Sequence, residues 1–575
     1  MKKFILSMYC MLAITCSNAQ VQNFNWVRAV QGTSTSASVH ARASAVDNAG
    51  NVYVAGSFYT QADFDPGPGI FILSATGREA FILKLDSSGN FIWAKKYAAA
   101  GGDVSAMALD VMDNIYLTGV YGQAADFDPG PGIFMLGSGS SYILKLNSSG
   151  NFVWAKNMGG SVNATKLDAL GNIYSTGFFM GIADFDPGPG TYTLSSNLGI
   201  NDIFVSKLDS AGNFLWAKQF AGNGNHRGMD LEPGGANDVY VTGYFSGTVD
   251  FDPGPGVFGI SCPSTSNCAF VAKLNSAGNL IWARATQGSG PCEARSIDLD
   301  AAGNVYSGGM FNGVVDFDPG AGTFTMSAFG FTPPFIDQRT DIYFTKWNSS
   351  GNLIWAKQVG GTDQDDLWDL DVDSAGQVYS TGEYNDMGNF DFDPGPAVLN
   401  LPLADSFILK LDATGNLIWG KNLSGARERI IVADKVGNVY TSGFYYGTPD
   451  FNTEAGIFNL SAGPFQAAFI HKLSKSGSVP TGSTVSLSEA NLSGGASIFP
   501  NPARDLLYVR LDNGEHADAK NLSIEVLDVL GEIVLILPIR EELSLIDMKV
   551  LSAGLYFINI KREGTLIRSQ KVIKE

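Results

Sequence analysis

The feature that most constrains this chain is a stretch of text written seven times between residues 21 and 477. Each copy carries three marks in fixed order. The first is a turn and strand, DNAGNVYVAG at 47–56, echoed by DAAGNVY at 300–306. The second is the heptapeptide DFDPGPG. It starts at Asp63, Asp126, Asp184 and Asp250 and decays progressively at Asp316, Asp391 and Asp450. The third is FILKLDSSGNFIWAK at 81–95, whose Lys84 returns as Lys145, Lys207, Lys273, Lys346, Lys410 and Lys472. A period of about 60–75 residues with short apolar runs between turns means a repeat array of strands. Each unit reads as four strands joined by tight Gly-containing hairpins. The 68 glycines among 575 residues follow no collagen-like triplet, so they belong to turns.

Four antiparallel strands per unit predict an all-β fold, a seven-bladed β-propeller. The repeat is also out of phase with the chain ends. The fourth-strand Trp falls at 93, 154, 216, 282, 355 and 419, but the seventh unit stops after 469–477 without one. The missing strand stands at the other end, as Asn23-Phe-Asn-Trp26-Val-Arg-Ala. The expectation is that this N-terminal strand becomes the outer strand of the last unit and leaves no open edge.

The patterns D-x-x-G-N-[VI]-Y-x-[TA]-G and K-L-[DN]-x-x-G-N-x-x-W resemble the SBBP-type β-propeller repeat of secreted bacterial proteins. The resemblance covers about Val21 to Gly477 and leaves DFDPGPG without an assigned role. A weaker similarity to quinone-cofactor propeller repeats is discounted. Those enzymes use adjacent cysteines, and Cys262, Cys268 and Cys292 are not adjacent.

The chain opens with Lys2 and Lys3, an apolar run from Phe4 to Thr15, and small residues at Ser17 and Ala19. This reads as a secretory signal over 1–19. A lipoprotein signal at Cys16 is the rival, disfavoured because Ala13 and Thr15 depart from the usual lipobox. No later stretch reaches the roughly 20 apolar residues needed to span a bilayer. An odd count of three mature cysteines permits one disulfide, most simply Cys262–Cys268, with Cys292 free.

Formal net charge is −19, which disfavours nucleic acid as a partner. Much of the excess lies in the DFD loops: Asp63, Asp65, Asp126, Asp128, Asp184, Asp186, Asp250, Asp252, Asp316, Asp318, Asp391 and Asp393. Each loop offers two carboxylates on one side of a tight turn, an oxygen-rich arrangement that suits calcium. The plainer reading is a turn staple, Asp accepting backbone N–H bonds while Phe packs between units. Five residues before the acid of each first turn stand Arg42, Ser105, Asn163, Arg227, Arg295, Trp368 and Arg429. The expectation is that Arg42, Arg227, Arg295, Trp368 and Arg429 open the inner strands and ring the channel mouth. There they either pair with loop aspartates or hold an anionic or glycan ligand with Trp368 as a stacking platform. Catalysis finds little support. His40, His226, His471 and His516 form no triad-like pattern, and Asp363–Asp366 reads as a solvated loop.

After a Ser/Thr/Gly-rich linker at 478–495, residues 496–575 alternate as a small β-sandwich. The opening Phe499-Pro-Asn-Pro502, then Ala553-Gly-Leu-Tyr556 and the terminal Lys571-Val-Ile-Lys574, closely resemble the type A C-terminal sorting domain of the type IX secretion system. The resemblance implies handling by that machinery in a Bacteroidota-type bacterium, removal of the domain, and a propeller (20–477) at the surface or released. The expected function is a binding module for glycan or another surface macromolecule. The alternative is a secreted carbohydrate-active or other hydrolytic enzyme with its site at the channel mouth.

Overall fold

The computed structural model describes residues 22–475, apart from 35, 98–100, 198, 263–265, 319, 321, 331–338, 386–389, 455–456 and 463–465. It also describes 496–574, apart from 500–505, 512–521, 528–532, 540–542, 552–553 and 563–564. The signal segment, the whole linker at 478–495, Pro500-Asn-Pro502 and Ala553 lie outside the described residues. The chain divides into two compact units, residues 1–480 and 481–575. Both are all-β, with no α-helix among the described residues.

In the first unit, Ser38–Val46 pairs with Val52–Asp63, which pairs with Ile72–Leu85, which pairs with Phe91–Tyr97. The same antiparallel order recurs in sheets that begin at Ala106–Leu109, Ser161–Leu167, His226–Pro233, Cys292–Leu299 and Asp365–Val372. The seventh sheet takes Ala426–Ala433, Val439–Tyr445 and Ala467–Lys475, and its fourth strand is Gln22–Gly32 from the other end of the chain. Trp26 stands opposite Lys472 and Val27 opposite His471. Among the described residues the four-strand order thus occurs seven times, and pairing between Gln22–Gly32 and Val52–Asp63 joins the first and seventh groups into one eight-stranded sheet. The first strands of consecutive sheets lie against one another, and that of the seventh lies against that of the first.

The repeated letters now have physical reasons. The Asp47 carboxylate accepts the backbone N–H groups of Ala49 and Asn51, the Asn51 amide and the Tyr53 hydroxyl. Gly50 completes that turn at φ 79°. Six of the seven first strands, all but Ala106–Leu109, carry a bulge that throws one residue out of the pairing register. Arg42, Asn163, Arg295, Trp368 and Arg429 are five such residues. The kink drives a carbonyl into the second strand: a Cβ on Gly56 would lie 1.9 Å from the His40 oxygen, and one on Gly443 2.0 Å from that of Arg427. Only glycine fits there.

Between sheets, six of the seven fourth-strand Trp residues, all but Trp419, lie on the third hairpin of the next sheet. A Cβ on Gly415 would meet Trp355, and one on Gly89 would meet Trp26. The indole N–H donates to a carbonyl of the same hairpin, Trp355 to Ala413 at 3.2 Å and Trp26 to Ser87 at 3.3 Å. Cys262 and Cys268 form a disulfide. Cys292 is free and buried, its thiol pushed up to about 12 by that burial.

The second unit has two antiparallel sheets. One holds Ala496–Phe499, Leu506–Leu511 and Leu543–Asp547; the other holds Ile533–Pro538, Leu522–Leu527, Gly554–Arg562 and Thr565–Lys574. Leu507, Val509 and Ile546 from the first share a core with Ile524, Ile558 and Val572 from the second.

Candidate functional site

The bulges decide where the predicted arginines point. Arg42, Arg295 and Arg429 do not open their strands, as expected from sequence; they sit mid-strand, at the residue the bulge ejects. Arg227 needs a further correction. In the fourth sheet the turn is closed by Gly234 N–H to the Asp238 carbonyl, so Gly234, not Glu232, stands where Asp47 stands in the first. The bulged residue of that sheet is therefore Met229, and Arg227 lies two residues earlier, level with Arg427, Glu293 and Asp366. Asp238 takes over the missing acid's role from the far end of the turn, pairing with Lys273 at 3.0 Å where Asp47 pairs with Lys84 at 3.7 Å.

Among the described residues, six arginines and four carboxylates gather at this end of the first strands. Arg427 and Arg429 share Glu383, at 3.2 and 2.8 Å. Arg42 and Arg78 share Asp103, Arg42 at 4.0 Å. Arg295 pairs with Glu293 at 3.0 Å. Arg227 lies 4.4 Å over the Phe178 ring and has no carboxylate partner among the described residues. Burial lowers the Arg429 pKa first, and Arg427 and Arg42 push it the same way against Glu383. His40 is held down by burial, then by Arg42 and Arg78.

Trp368 is not a free platform. The Arg429 guanidinium covers its ring at 3.6 Å, and that of Arg295 lies 5.7 Å from the ring centre. Asp363–Asp366 is not simply a solvated loop. Asp365 and Asp366 begin a strand, Asp365 is fully buried, and burial raises the Asp366 pKa against the pull of Arg295 and Arg429.

Sequence reasoning missed a second cluster, farther along the same strands. Asp230, Glu232, Asp298, Asp369 and Asp371 approach one another around Lys166. Several staple neighbouring first strands through backbone N–H groups: Asp230 to Ile297 at 3.0 Å, Asp369 to Ile431 at 3.0 Å and Asp298 to Val372 at 2.6 Å. Lys166 pairs with Glu232 at 3.3 Å. Its side chain keeps 42% exposure, yet the Glu232 charge raises its pKa well above normal, as expected in a channel enclosed by protein. Burial, with repulsion from Asp230, raises Asp369 to about 7. The corresponding positions of the first two sheets are Ala43, Ala45, Ala106 and Ala108, so this charge is confined to the first strands of the third to sixth sheets. The signal was present in the non-repeating letters, which a search for repeats discards.

The DFDPGPG loops are held by their own backbone. Asp63 Oδ1 accepts the N–H groups of Asp65 and Phe71, at 3.1 and 2.8 Å, and Asp65 Oδ1 accepts that of Gly67 at 2.8 Å. Asp126 and Asp128, Asp184 and Asp186, Asp250 and Asp252, Asp316 and Asp318, and Asp391 and Asp393 repeat the pattern. Phe64 is fully buried. The loop's hairpin also pairs with the fourth strand of the preceding sheet: Asp63 and Ala62 with Gln31 and Gly32, Asp250 and Val249 with Ala221 and Gly222, Asp316 and Val315 with Gln287 and Gly288. Among the described residues no group of three or more His, Cys, Asp and Glu side chains has metal-binding geometry.

Residues 497–575 match the secretion system C-terminal sorting domain. The chain is addressed by type IX secretion to the cell surface or extracellular space. No helix among the described residues is long and apolar enough to cross a membrane. The chain is 24% identical over 464 residues to an uncharacterized WD repeat-containing protein of Acanthamoeba polyphaga mimivirus. That match takes in 65% of this chain but only 32% of the relative, so the chain spans about a third of that protein's length. Among solved structures it is similar to the Dos1 propeller (10% identity, 78% of this chain and 95% of that one, TM-score 0.34). It is also similar to BamB of Moraxella catarrhalis (11%, 79% and 100%, 0.29) and to PorZ, a surface component of the type IX secretion system of Porphyromonas gingivalis (11%, 96% and 100%, 0.19). Scores this low decide nothing about the fold; the strand pairing described above carries it.

Proposed function

We propose that residues 20–477 form a closed seven-bladed propeller of SBBP-type repeats, separated by the 478–495 linker from a removable sorting domain, in a Bacteroidota-type bacterium. Its role is that of a surface binding module for polysaccharide or another surface macromolecule. The pairing of Gln22–Gly32 with Ala467–Lys475, and the contact between the first strands of the first and seventh sheets, support the closed wheel. The observation that carries the binding reading is the convergence of arginines from the first, fourth, fifth and seventh sheets at one end of the channel. Glycan-array binding by the purified protein, with and without chelator, tests it: reproducible binding lost on substitution of the mouth arginines is expected, and an array without hits removes the reading.

The hydrolytic alternative has one observation in its favour. Asp369, poised near neutrality beside other carboxylates, has the protonation behaviour of a general acid. Against it, Asp369 already accepts hydrogen bonds from Ser296 and from the Leu370 and Ile431 backbone. Turnover on a glycan panel, abolished in Asp369→Asn, would favour the enzyme. Calcium at the DFDPGPG loops would have to use the second oxygens of Asp63 and Asp65 and their equivalents, because the first serve the turn.

A further inference from the structure

The protein as a whole is strongly acidic, with 56 Asp and Glu against 37 Lys and Arg. Its channel mouth inverts that balance. Arg42, Arg78, Arg227, Arg295, Arg427 and Arg429 face Asp103, Glu293, Asp366 and Glu383. Two of the acids, Asp103 and Glu383, each serve two arginines. An arginine offers five N–H donors, and one shared carboxylate cannot saturate two such forks. The pairing is incomplete on both sides: Nε of Arg427 and Nε of Arg429 are buried without a hydrogen-bond partner, and so are Oε1 of Glu383, Oδ1 of Asp366 and the Trp368 indole N–H. Arg42 keeps 42% of its side-chain exposure and Arg427 39%, so cationic surface is left for a ligand.

Ring stacking, the usual means of holding a neutral sugar, is pre-empted at Trp368 by Arg429. Anions are what the arginines are equipped to recognise, through paired N–H donors that match the planar carboxylate or the sulfate oxygens. Behind the mouth the acid cluster offers them one cation among the described residues, Lys166, which Glu232 already holds. Asp230, Glu232, Asp298, Asp369 and Asp371 outnumber Lys166 there. A polyanion would therefore lie across the mouth and not thread the channel.

Resting on the binding-module reading above, we propose that the ligand is an acidic polysaccharide, carrying carboxylates or sulfates, bound across the arginine-lined end of the channel. Duplex nucleic acid is a poorer fit. Its charge is far denser than one anion per sugar or two, and the surrounding acidic surface repels it over a Debye length of about 8–10 Å.

The test uses the full chain and four probes: polygalacturonate, dextran sulfate, neutral dextran and duplex DNA. Binding is measured at about 50 and about 300 mM salt. The proposal expects at least one acidic polysaccharide to bind about tenfold or more tightly than dextran, and binding to weaken with salt. Arg42→Gln with Arg227→Gln should lose about tenfold in affinity while the melting temperature stays unchanged. These two positions are chosen because Arg227 has no ion pair among the described residues and Arg42 only a long one. Dextran bound as tightly as the acidic polymers would overturn the acidic class while leaving a glycan-binding module. DNA bound as tightly as either acidic polymer would overturn the polysaccharide. No binding to any probe would remove both the inference and the reading beneath it.

Discussion

Lys346 in the fifth sheet and Lys410 in the sixth occupy the same place in the repeat, yet their surroundings differ. Lys346 pairs with Asp300 at 3.5 Å and donates to the Ala413 carbonyl at 3.2 Å, and Trp355 donates to that same carbonyl at 3.2 Å. Ala413 belongs to the hairpin of the following sheet. After the sixth sheet no such hairpin follows, because the seventh sheet takes its third and fourth strands from opposite ends of the chain. There Trp419 donates instead to the Gln22 side chain at 2.8 Å, and Gln22 donates to the Gly437 carbonyl at 2.8 Å. Lys410 Nζ is left buried without a hydrogen-bond partner, over the Tyr379 ring at 4.6 Å. Each sheet is thus completed by the next one, and where the chain ends meet, one glutamine repairs half of the loss.

The largest effect should come from Trp26→Ala. Trp26 is buried, packs edge-on to Tyr440 at 6.4 Å, and is contributed by the very strand that joins the ends. Truncating a buried aromatic costs ~3–5 kcal/mol, readable as a fall in the denaturation midpoint. An unchanged midpoint would deny the N-terminal strand its role.

Gln22→Ala comes next. It removes the hydrogen bonds of the half-buried Trp419 N–H and Gly437 carbonyl, at ~0.5–1.5 kcal/mol each. The matching substitution elsewhere does not exist, since the other sheets use backbone carbonyls; a midpoint moved by less than experimental error would show that water or another group can take the amide's place.

Lys410→Met should instead stabilise, by ~1 kcal/mol at pH 7. Burial lowers Lys410 from 10.5 to about 8, with Lys475 adding repulsion. A folded-state pKa below the unfolded value means that the unfolded chain binds more protons between about 8 and 10.5, so wild-type stability gains from this group as pH rises through that window. The advantage of Lys410→Met should shrink over the same range. A gain independent of pH would mean that packing, not charge, is responsible. The smallest effect concerns calcium: with one oxygen of each loop aspartate already serving backbone N–H groups, adding calcium or chelator should move the melting temperature by no more than about 1 °C. An upward shift with calcium would establish loop metal sites.

The repeat made the strands, the hairpins and the partner of Trp26 readable, because a missing Trp at 469–477 and a spare one at residue 26 are complementary gaps. The bulge was readable in principle, since Gly56, Gly177, Gly243, Gly309, Gly382 and Gly443 mark it, but a repeated glycine says only that a Cβ will not fit, not what it would strike. The fourth sheet defeated counting. Pro233-Gly234 replaces the turn acid, and Asp238 assumes its duty from four residues on, so Arg227 was aligned two residues too far along. The acids around Lys166 and the covering of Trp368 by Arg429 depend on which sheets become neighbours in space, which no local pattern encodes. Likewise DFDPGPG showed its turn chemistry in sequence but not its pairing with the preceding sheet.

The most direct measurement is a crosslink across the junction of the two chain ends. Asn23 stands opposite Ser474 in the strand pairing. Asn23→Cys with Ser474→Cys, oxidised in dilute folded protein, should give an intramolecular disulfide and a higher melting temperature, while either single variant gives neither. Disulfides that form only between molecules, or not at all without denaturant, would mean that the first and last strands of the array do not meet within one chain.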